Sequence, residues 1–220
     1  MTEASQLTSF TAEAADFLTG LAADNSKSFF EAHRDQYARA IRQPLEDLLG
    51  AAEPVYGPGK VMRPNRDVRF SANKEPYRTE ASMWAGTVGG VYLNLNRERL
   101  EVGGGLYDPS RDQLERARTA IAERPDIAER PDIAAELESI IRALEGDGFT
   151  LAGPSLKTAP RGTDPSHPAI QLLRLKHYAA LRGLPIDTPP TDVLSTWRAM
   201  EPLIAWVDTH VGSALTTRGH

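Results

Sequence analysis

One short segment of the chain, from Arg63 to Arg78, concentrates side chains that can bind an anion. Residues 60–80 hold six Lys and Arg against three Asp and Glu, a local charge of +3 in a chain of net charge −5. A guanidinium offers a planar fork of donors that fits a carboxylate or phosphate, and lysine adds a point charge. We therefore predict a site for a small phosphate- or carboxylate-bearing ligand here. Its candidate residues are Arg63, Arg66, Asp67, Arg69, Asn73, Lys74 and Tyr77.

A second basic segment, residues 156–177, contains further candidates. The ligand contacts predicted here are Lys157, Arg161 and Arg174. His167 is the candidate catalytic residue, because histidine changes protonation near neutral pH and this one lies in a loop between basic residues. The alternative is that Asp164, Ser166 and His167 only form turns and a helix cap.

A structural interpretation competes with the ligand-binding one. Arg66, Arg69 and Lys74 could pair with Asp67, Glu75 and other carboxylates and so fix an irregular loop. The protein would then be a non-enzymatic structural or protein-interaction domain. If a ligand does bind, a binding module and an enzyme fit the residues equally well. In an enzyme, Arg and Lys would stabilise developing negative charge and His167 would transfer a proton.

Composition and motifs narrow the function classes. The chain has no Cys, which excludes disulfides and thiol catalysis and fits a cytoplasmic protein. The five His lack metal-site spacing, so no metal is predicted, and no phosphate-loop or dinucleotide motif indicates a cofactor. The net acidity makes nucleic acid an unlikely partner. No secretory leader and no apolar run of roughly 20 residues is present, so no membrane association is expected. No pattern indicates an oligomeric state.

The elements around these segments predict an α+β fold. Helical periodicity dominates residues of about 11–53, strands dominate about 60–107, and helices return over about 110–217 with a short extended stretch near 149–160. We predict one domain over residues 1–220, with a mainly antiparallel central sheet on which N-terminal and C-terminal helices pack. The two basic segments would meet at one edge of this sheet.

Several individual elements follow from local patterns. Alternating apolar residues at 91–96 and 100–102 predict an antiparallel hairpin, and the glycines at 103–105 predict a bulge or a place where another backbone or a ligand comes close. Short strands are predicted at 68–70 and 155–157, and a helix from Pro168 to Gly183. Pro44 is expected to start a separate short helix. A tandem duplication over 122–133 is interpreted as a lengthened surface connection, because its prolines break helices.

The first basic segment also resembles the signature of a bacterial family catalogued only as domain of unknown function 2461. The residues that carry the resemblance are Arg63-x-x-Arg66-Asp67-x-Arg69-Phe70-Ser71-x-Asn73-Lys74-x-x-Tyr77. Further similarity lies in Gly103–Tyr107, in Pro160-Arg161-Gly162 and in His167-Pro168. The resemblance implies that the two basic segments belong to one recurring constellation. It implies no particular activity.

Overall fold

The structure is a computed structural model that describes residues 7–67, 69, 72, 74–122 and 132–215. Within these residues the fold is α+β, as predicted. The helices are α1 (Ala12–Ala23), α2 (Lys27–Ala32), α3 (Arg34–Tyr37), α4 (Gln43–Tyr56), α5 (Arg111–Ala122), α6 (Ile133–Gly146), α7 (Ile170–Leu173), α8 (Pro190–Ala199) and α9 (Glu201–His210). The strands are β1 (Gly59–Val61), β2 (Ala81–Gly86), β3 (Gly90–Leu95), β4 (Leu100–Leu106), β5 (Thr150–Leu151) and β6 (Tyr178–Leu184). They hydrogen-bond in the order β1-β2-β3-β4-β6-β5.

The chain folds into two compact units, each made of several sequence segments. The first unit comprises Met1–Gly86, Val91–Val102 and Gly183–Arg198. The second unit comprises Thr87–Gly90, Gly103–Arg182 and Ala199–His220. The single domain over residues 1–220 stays a prediction.

The core of the first unit is built by its helical block and by β1 to β3. The apolar stripe predicted for α1 is buried, with Phe17 and Leu18 at 1 % and 2 % exposure. Phe30 packs against Phe17 and Tyr37, and α4 packs on β1 and β2. The helix expected at Pro44 is present as α4, with Pro44 in its first turn. It is continuous with a π-helical turn, Ala38–Arg42, rather than separated from the preceding helix.

The predicted hairpin of β3 and β4 is present. Val91, Leu93 and Leu95 are fully buried, and the Asn96 N–H donates to the Arg99 carbonyl in the connecting turn. The close backbone approach predicted at the glycines is also confirmed. Gly105 has φ of 105°, and a Cβ there would lie 2.2 Å from the Tyr178 carbonyl oxygen. Only glycine lets the backbone of β6 come this near to β4.

The helix predicted from Pro168 to Gly183 is wrong. The helical part, α7, ends at Leu173, and the chain then becomes strand β6. Alanines and leucines in this stretch favour a helix locally, but the backbone groups of β6 pair with β5, with Leu151 opposite Ala180. Tertiary pairing therefore overrides the local preference. Residues 155–157, predicted as a strand, are irregular.

The core of the second unit lies among α5, α6 and α9. Leu137 and Leu144 of α6 are buried, and Trp206 of α9 stacks on Tyr178 with ring centroids 5.6 Å apart. The final helical region divides at Pro202, which occupies the first turn of α9. No helix in the described ranges is long and apolar enough to cross a bilayer.

Two predictions fall on parts of the chain that are not described. The strand at 68–70 includes positions 68 and 70, which lie outside the described residues. The duplication at 122–133 lies mostly in 123–131, also outside them.

Candidate functional site

The first basic segment continues the hairpin of β1 and β2 as an arm. Val61 lies opposite Met83 in the strand register. Beyond the strands, Asn65 and Tyr77 form a further antiparallel bridge. The Arg66 N–H donates to the Pro76 carbonyl at 2.8 Å, so backbone pairing extends into the arm.

Asn25 fixes the base of this arm. Its side-chain amide accepts from the Tyr77 N–H at 3.0 Å and donates to the Tyr77 carbonyl at 3.1 Å. The Tyr77 ring is buried and stacks on Phe30 at 4.3 Å. Asn25 was not among the site residues predicted from the sequence. The residue that caps α2 is Ser26, whose hydroxyl accepts from the Phe29 N–H. A polar residue next to this cap, and not needed as the cap, was the signal in the sequence for another role of Asn25.

Ion pairs lie along the arm. Arg69 forks onto Asp67, with Nε 3.0 Å from Oδ1 and Nη2 2.7 Å from Oδ2. These hydrogen bonds from Arg69 lower the pKa of Asp67 to about 2. Arg66 lies 3.5 Å from Glu75. Of the other candidates on the arm, Arg63 and Lys74 are exposed, and Asn73 lies outside the described residues. This arrangement matches the pairing pattern of a structural network.

The second basic segment closes on itself within the second unit. The Leu156 N–H donates to the Arg174 carbonyl at 2.8 Å, which places Lys157 next to Arg174 along the paired backbones. Arg118 of α5 donates through Nε to the Leu173 carbonyl at 3.1 Å and so fixes the chain just before Arg174. Lys157 and Arg161 are exposed, whereas Arg174 is only partly exposed.

Arg174 lacks the partners that the arginines of the arm have. No carboxylate in the described ranges forms a salt bridge with Lys157, Arg161 or Arg174. The Arg174 Nε is buried, and no group in those ranges accepts its hydrogen bond. A buried donor without an acceptor is unfavourable, so an anionic oxygen at this place would stabilise it.

His167 takes part in the turn that leads into α7. Its Nδ1 accepts from the Ala169 N–H at 3.1 Å, so in the neutral ring the proton is on Nε2. Asp164 Oδ1 accepts from the N–H and the hydroxyl of Ser166, each at 2.8 Å. The turn and cap considered as an alternative for these residues are therefore present.

A second histidine of this segment, His177, was not among the predicted site residues. Its Nδ1 hydrogen-bonds the Tyr107 carbonyl, and its ring lies 5.4 Å from the half-exposed Tyr107 ring. Gly153, with φ of 67°, lies directly against the imidazole. The sequence signal available was a histidine that directly follows Lys176 and lies three residues after Arg174.

The predicted site residues therefore lie in two places. Those of the arm belong to the first unit, and those of the second basic segment belong to the second unit. Their meeting at one sheet edge stays a prediction.

Within the described ranges, no group of three His, Asp or Glu could hold a metal ion.

A groove of about 610 Å³ lies elsewhere in the second unit, between α6 and α9. Trp206 and His210 line it, and His210 Nε2 lies 3.6 Å from a Glu136 carboxylate oxygen. None of the predicted site residues lines this groove.

Comparison with known families agrees with the resemblance found in the first basic segment. A family described as conserved hypothetical protein (DUF2461) matches residues 13–206, a range that includes both basic segments. The chain belongs to this family. No curated protein and no solved structure matches the chain significantly. Membership in the family carries no reaction or ligand with it, so the function has to be argued from the residues themselves.

Proposed function

We propose that this protein binds a small phosphate- or carboxylate-bearing ligand through Lys157, Arg161 and Arg174. The observation that carries the proposal is the state of Arg174. Its guanidinium has no carboxylate partner in the described ranges, and its buried Nε has no acceptor there. A phosphate or carboxylate oxygen supplies both the missing acceptor and the missing counter-charge.

The surroundings of Arg174 support a site rather than an isolated side chain. The Leu156–Arg174 backbone hydrogen bond brings Lys157 alongside. Arg161 lies on the exposed turn between Lys157 and α7. Lys157, Arg161 and Arg174 outnumber the one carboxylate of this loop, Asp164, and this excess of positive charge favours an added anion.

The arm in the first unit favours a second role, which is structural. Its Arg69–Asp67 fork and its Arg66–Glu75 pair already supply carboxylates to two of its arginines. Under this assignment the arm is a charged, internally paired element of a structural or protein-interaction domain. The two roles make opposite predictions for variants of Arg69 and Arg174.

A thermal-shift titration with sulfate and phosphate tests the proposal. Wild type is compared with Arg174→Gln, with Arg69→Gln and with Arg182→Gln, a control for loss of one exposed positive charge in the same unit. An anion at about 100 times its Kd stabilises the native protein by roughly 2.7 kcal/mol. We expect this shift in wild type, Arg69→Gln and Arg182→Gln, and its loss in folded Arg174→Gln.

Two results contradict the proposal. If the shift disappears in Arg69→Gln and remains in Arg174→Gln, the ligand binds at the arm. If neither anion, nor a panel of nucleotides and small carboxylates, shifts wild type, the structural role alone remains.

A further inference from the structure

We propose that His177 donates a hydrogen bond to the bound anion only when its ring is protonated. This inference rests on the proposed function. In this assignment the His177 Nε2 contacts the bound anion, and protonation of the ring strengthens binding. His167, the candidate from the sequence, does not fill this role.

The tautomer of His177 follows from its partner. A carbonyl oxygen only accepts hydrogen bonds, so the Nδ1 that contacts the Tyr107 carbonyl carries a proton. The neutral ring therefore has its lone pair on Nε2, and no residue in the described ranges bonds that atom. His167 is the reverse case, because its Nδ1 accepts from Ala169 and its Nε2 carries the proton.

The position of the His177 ring is held by its neighbours. A Cβ on Gly153 would lie 2.5 Å from His177 Cδ2 and 2.6 Å from Nε2, so the ring occupies space that only glycine leaves free. The Tyr107 ring covers it at an interplanar angle of 32°. With Nδ1 bonded as well, the imidazole has one orientation.

The same backbone pairing brings His177 to the cations. Residues 150–156 run antiparallel to residues 174–181, from the Leu151–Ala180 pair to the Leu156–Arg174 hydrogen bond. His177 lies three residues from Arg174 on one chain, opposite Gly153 on the other. His177 thus lies on the same paired segment as Arg174 and Lys157, and in this assignment an anion bound by these two residues reaches the imidazole edge.

The opposite tautomers give opposite pH behaviour. The Nε2–H of His167 can donate to an anion in the neutral and in the protonated ring. The Nε2 lone pair of neutral His177 repels an anionic oxygen, and only the protonated ring donates. Binding of an anion that carries no proton should therefore be stronger to the protonated His177 ring than to the neutral one.

Histidine is the side chain whose ordinary pKa lies between about 5 and 8. The other titratable or charged groups that the described residues place near His177 include Tyr107, Asp108, Arg118, Lys157, Arg174, Lys176 and Tyr178.

Sulfate is the probe for this test, because unlike phosphate it does not titrate near neutral pH. Its Kd is measured by calorimetry between about pH 6 and 8 for wild type, His177→Asn and His167→Asn. Asparagine at 177 keeps a donor for the Tyr107 carbonyl and removes Nε2, and asparagine at 167 keeps an acceptor for the Ala169 N–H. We expect the affinity of wild type and His167→Asn to rise by roughly tenfold toward low pH, and that of His177→Asn to stay level.

The possible results separate this inference from the proposed function. If sulfate binds and Arg174→Gln abolishes binding, but the pH dependence survives in His177→Asn or is lost in His167→Asn, the assignment of His177 is overturned and the anion site stands. If wild type binds no sulfate at any pH, the assignment of His177 is overturned, and the proposed function is decided by the thermal-shift panel of phosphate, nucleotides and small carboxylates.

The ligand-free protein provides an independent measurement. Nitrogen-15 correlation spectra report the tautomer of each neutral histidine. We expect the Nδ1–H form for His177 and the Nε2–H form for His167. An Nε2–H form at His177 would overturn the inference whatever sulfate does, and the same spectra show whether the asparagine variants are folded.

Discussion

Asn25 and Tyr77 lie 52 residues apart and form two hydrogen bonds through one side-chain amide, at 3.0 and 3.1 Å. The amide takes the place that a neighbouring strand would have, because it satisfies both the N–H and the C=O of Tyr77. Its contact joins the turn before α2 to the arm that carries the first basic segment. The position of the arm thus depends on a polar residue outside it.

Replacement of Asn25 tests how strongly this contact holds the arm. In Asn25→Ala, both backbone groups of Tyr77 lose a part-buried partner, so we expect a loss of roughly 2 kcal/mol in the free energy of unfolding. Urea denaturation measures the loss. Limited trypsin digestion should also show faster cleavage at the arginines of the arm.

The matched control is Asn94→Ala in β3, where the amide makes a long contact of 3.4 Å with Glu80. A change within about 0.5 kcal/mol is expected there. Equal effects of the two variants would show that Asn25 does not hold the arm in particular.

The pKa of Asp67 tests the ion pair of the arm. Hydrogen bonds from Arg69 lower this pKa to about 2, from an ordinary value of 3.8. Because the pKa of Asp67 is lower in the folded protein, its ionised form stabilises the fold when the pH is above the pKa of the unfolded chain. This stabilisation is lost as the pH falls from about 3.8 toward about 2. In Arg69→Gln we expect the Asp67 pKa, followed by carboxyl NMR, to return toward 3.8. Arg66→Gln is the control and should leave it near 2, since Arg66 pairs with Glu75.

Gly105 tests the close approach of β6 to β4. In Gly105→Ala the new Cβ meets the Tyr178 carbonyl in a backbone conformation that side chains rarely adopt, so we expect a loss of about 3 kcal/mol or more in unfolding free energy. Gly50→Ala is the control, since Gly50 lies in α4 with nothing within 4 Å of a new Cβ. It should stabilise the protein by about 0.5–1 kcal/mol. A mild effect at Gly105 would contradict the strand pairing.

Tyr178 tests the energetic effect of an unpaired polar group. Its hydroxyl is buried without a partner among the described residues, and burial raises its pKa to about 12. Tyr178→Phe removes this hydroxyl and should stabilise the protein by about 1 kcal/mol at neutral pH.

The sign of the pH effect also follows for Tyr178. Because the pKa of Tyr178 is raised in the folded protein, the unfolded tyrosine ionises first as the pH rises. The resulting contribution to the free energy of unfolding is fully present below about pH 10 and is lost as the pH rises toward 12. Wild type should therefore lose roughly 2 kcal/mol more than Tyr178→Phe over this interval in urea titrations. Parallel losses in the two proteins would show that the hydroxyl has a partner or is solvated.

The sequence predictions were correct where neighbouring residues determine the structure and wrong where residues distant in the chain determine it. The apolar stripe of α1 and the alternation of β3 were correct, since each pattern records which face of one element is buried. The helix predicted after Leu173 was wrong, because this stretch forms a strand through its pairing with β4 and β5 and not through its own residue types. For the candidate site, the sequence identified the basic residues but could not distinguish the paired Arg69 from Arg174.

The sequence by itself determined the α+β class, the family and the two basic segments, because residue types and short-range periodicity carry that information. Tertiary structure alone decided which charges are paired and which ring nitrogen of His167 and of His177 bonds the backbone. The Tyr107 carbonyl that orients His177 lies 70 residues away along the chain. Contacts of this kind depend on where the folded backbone places distant groups, and no local pattern records that placement.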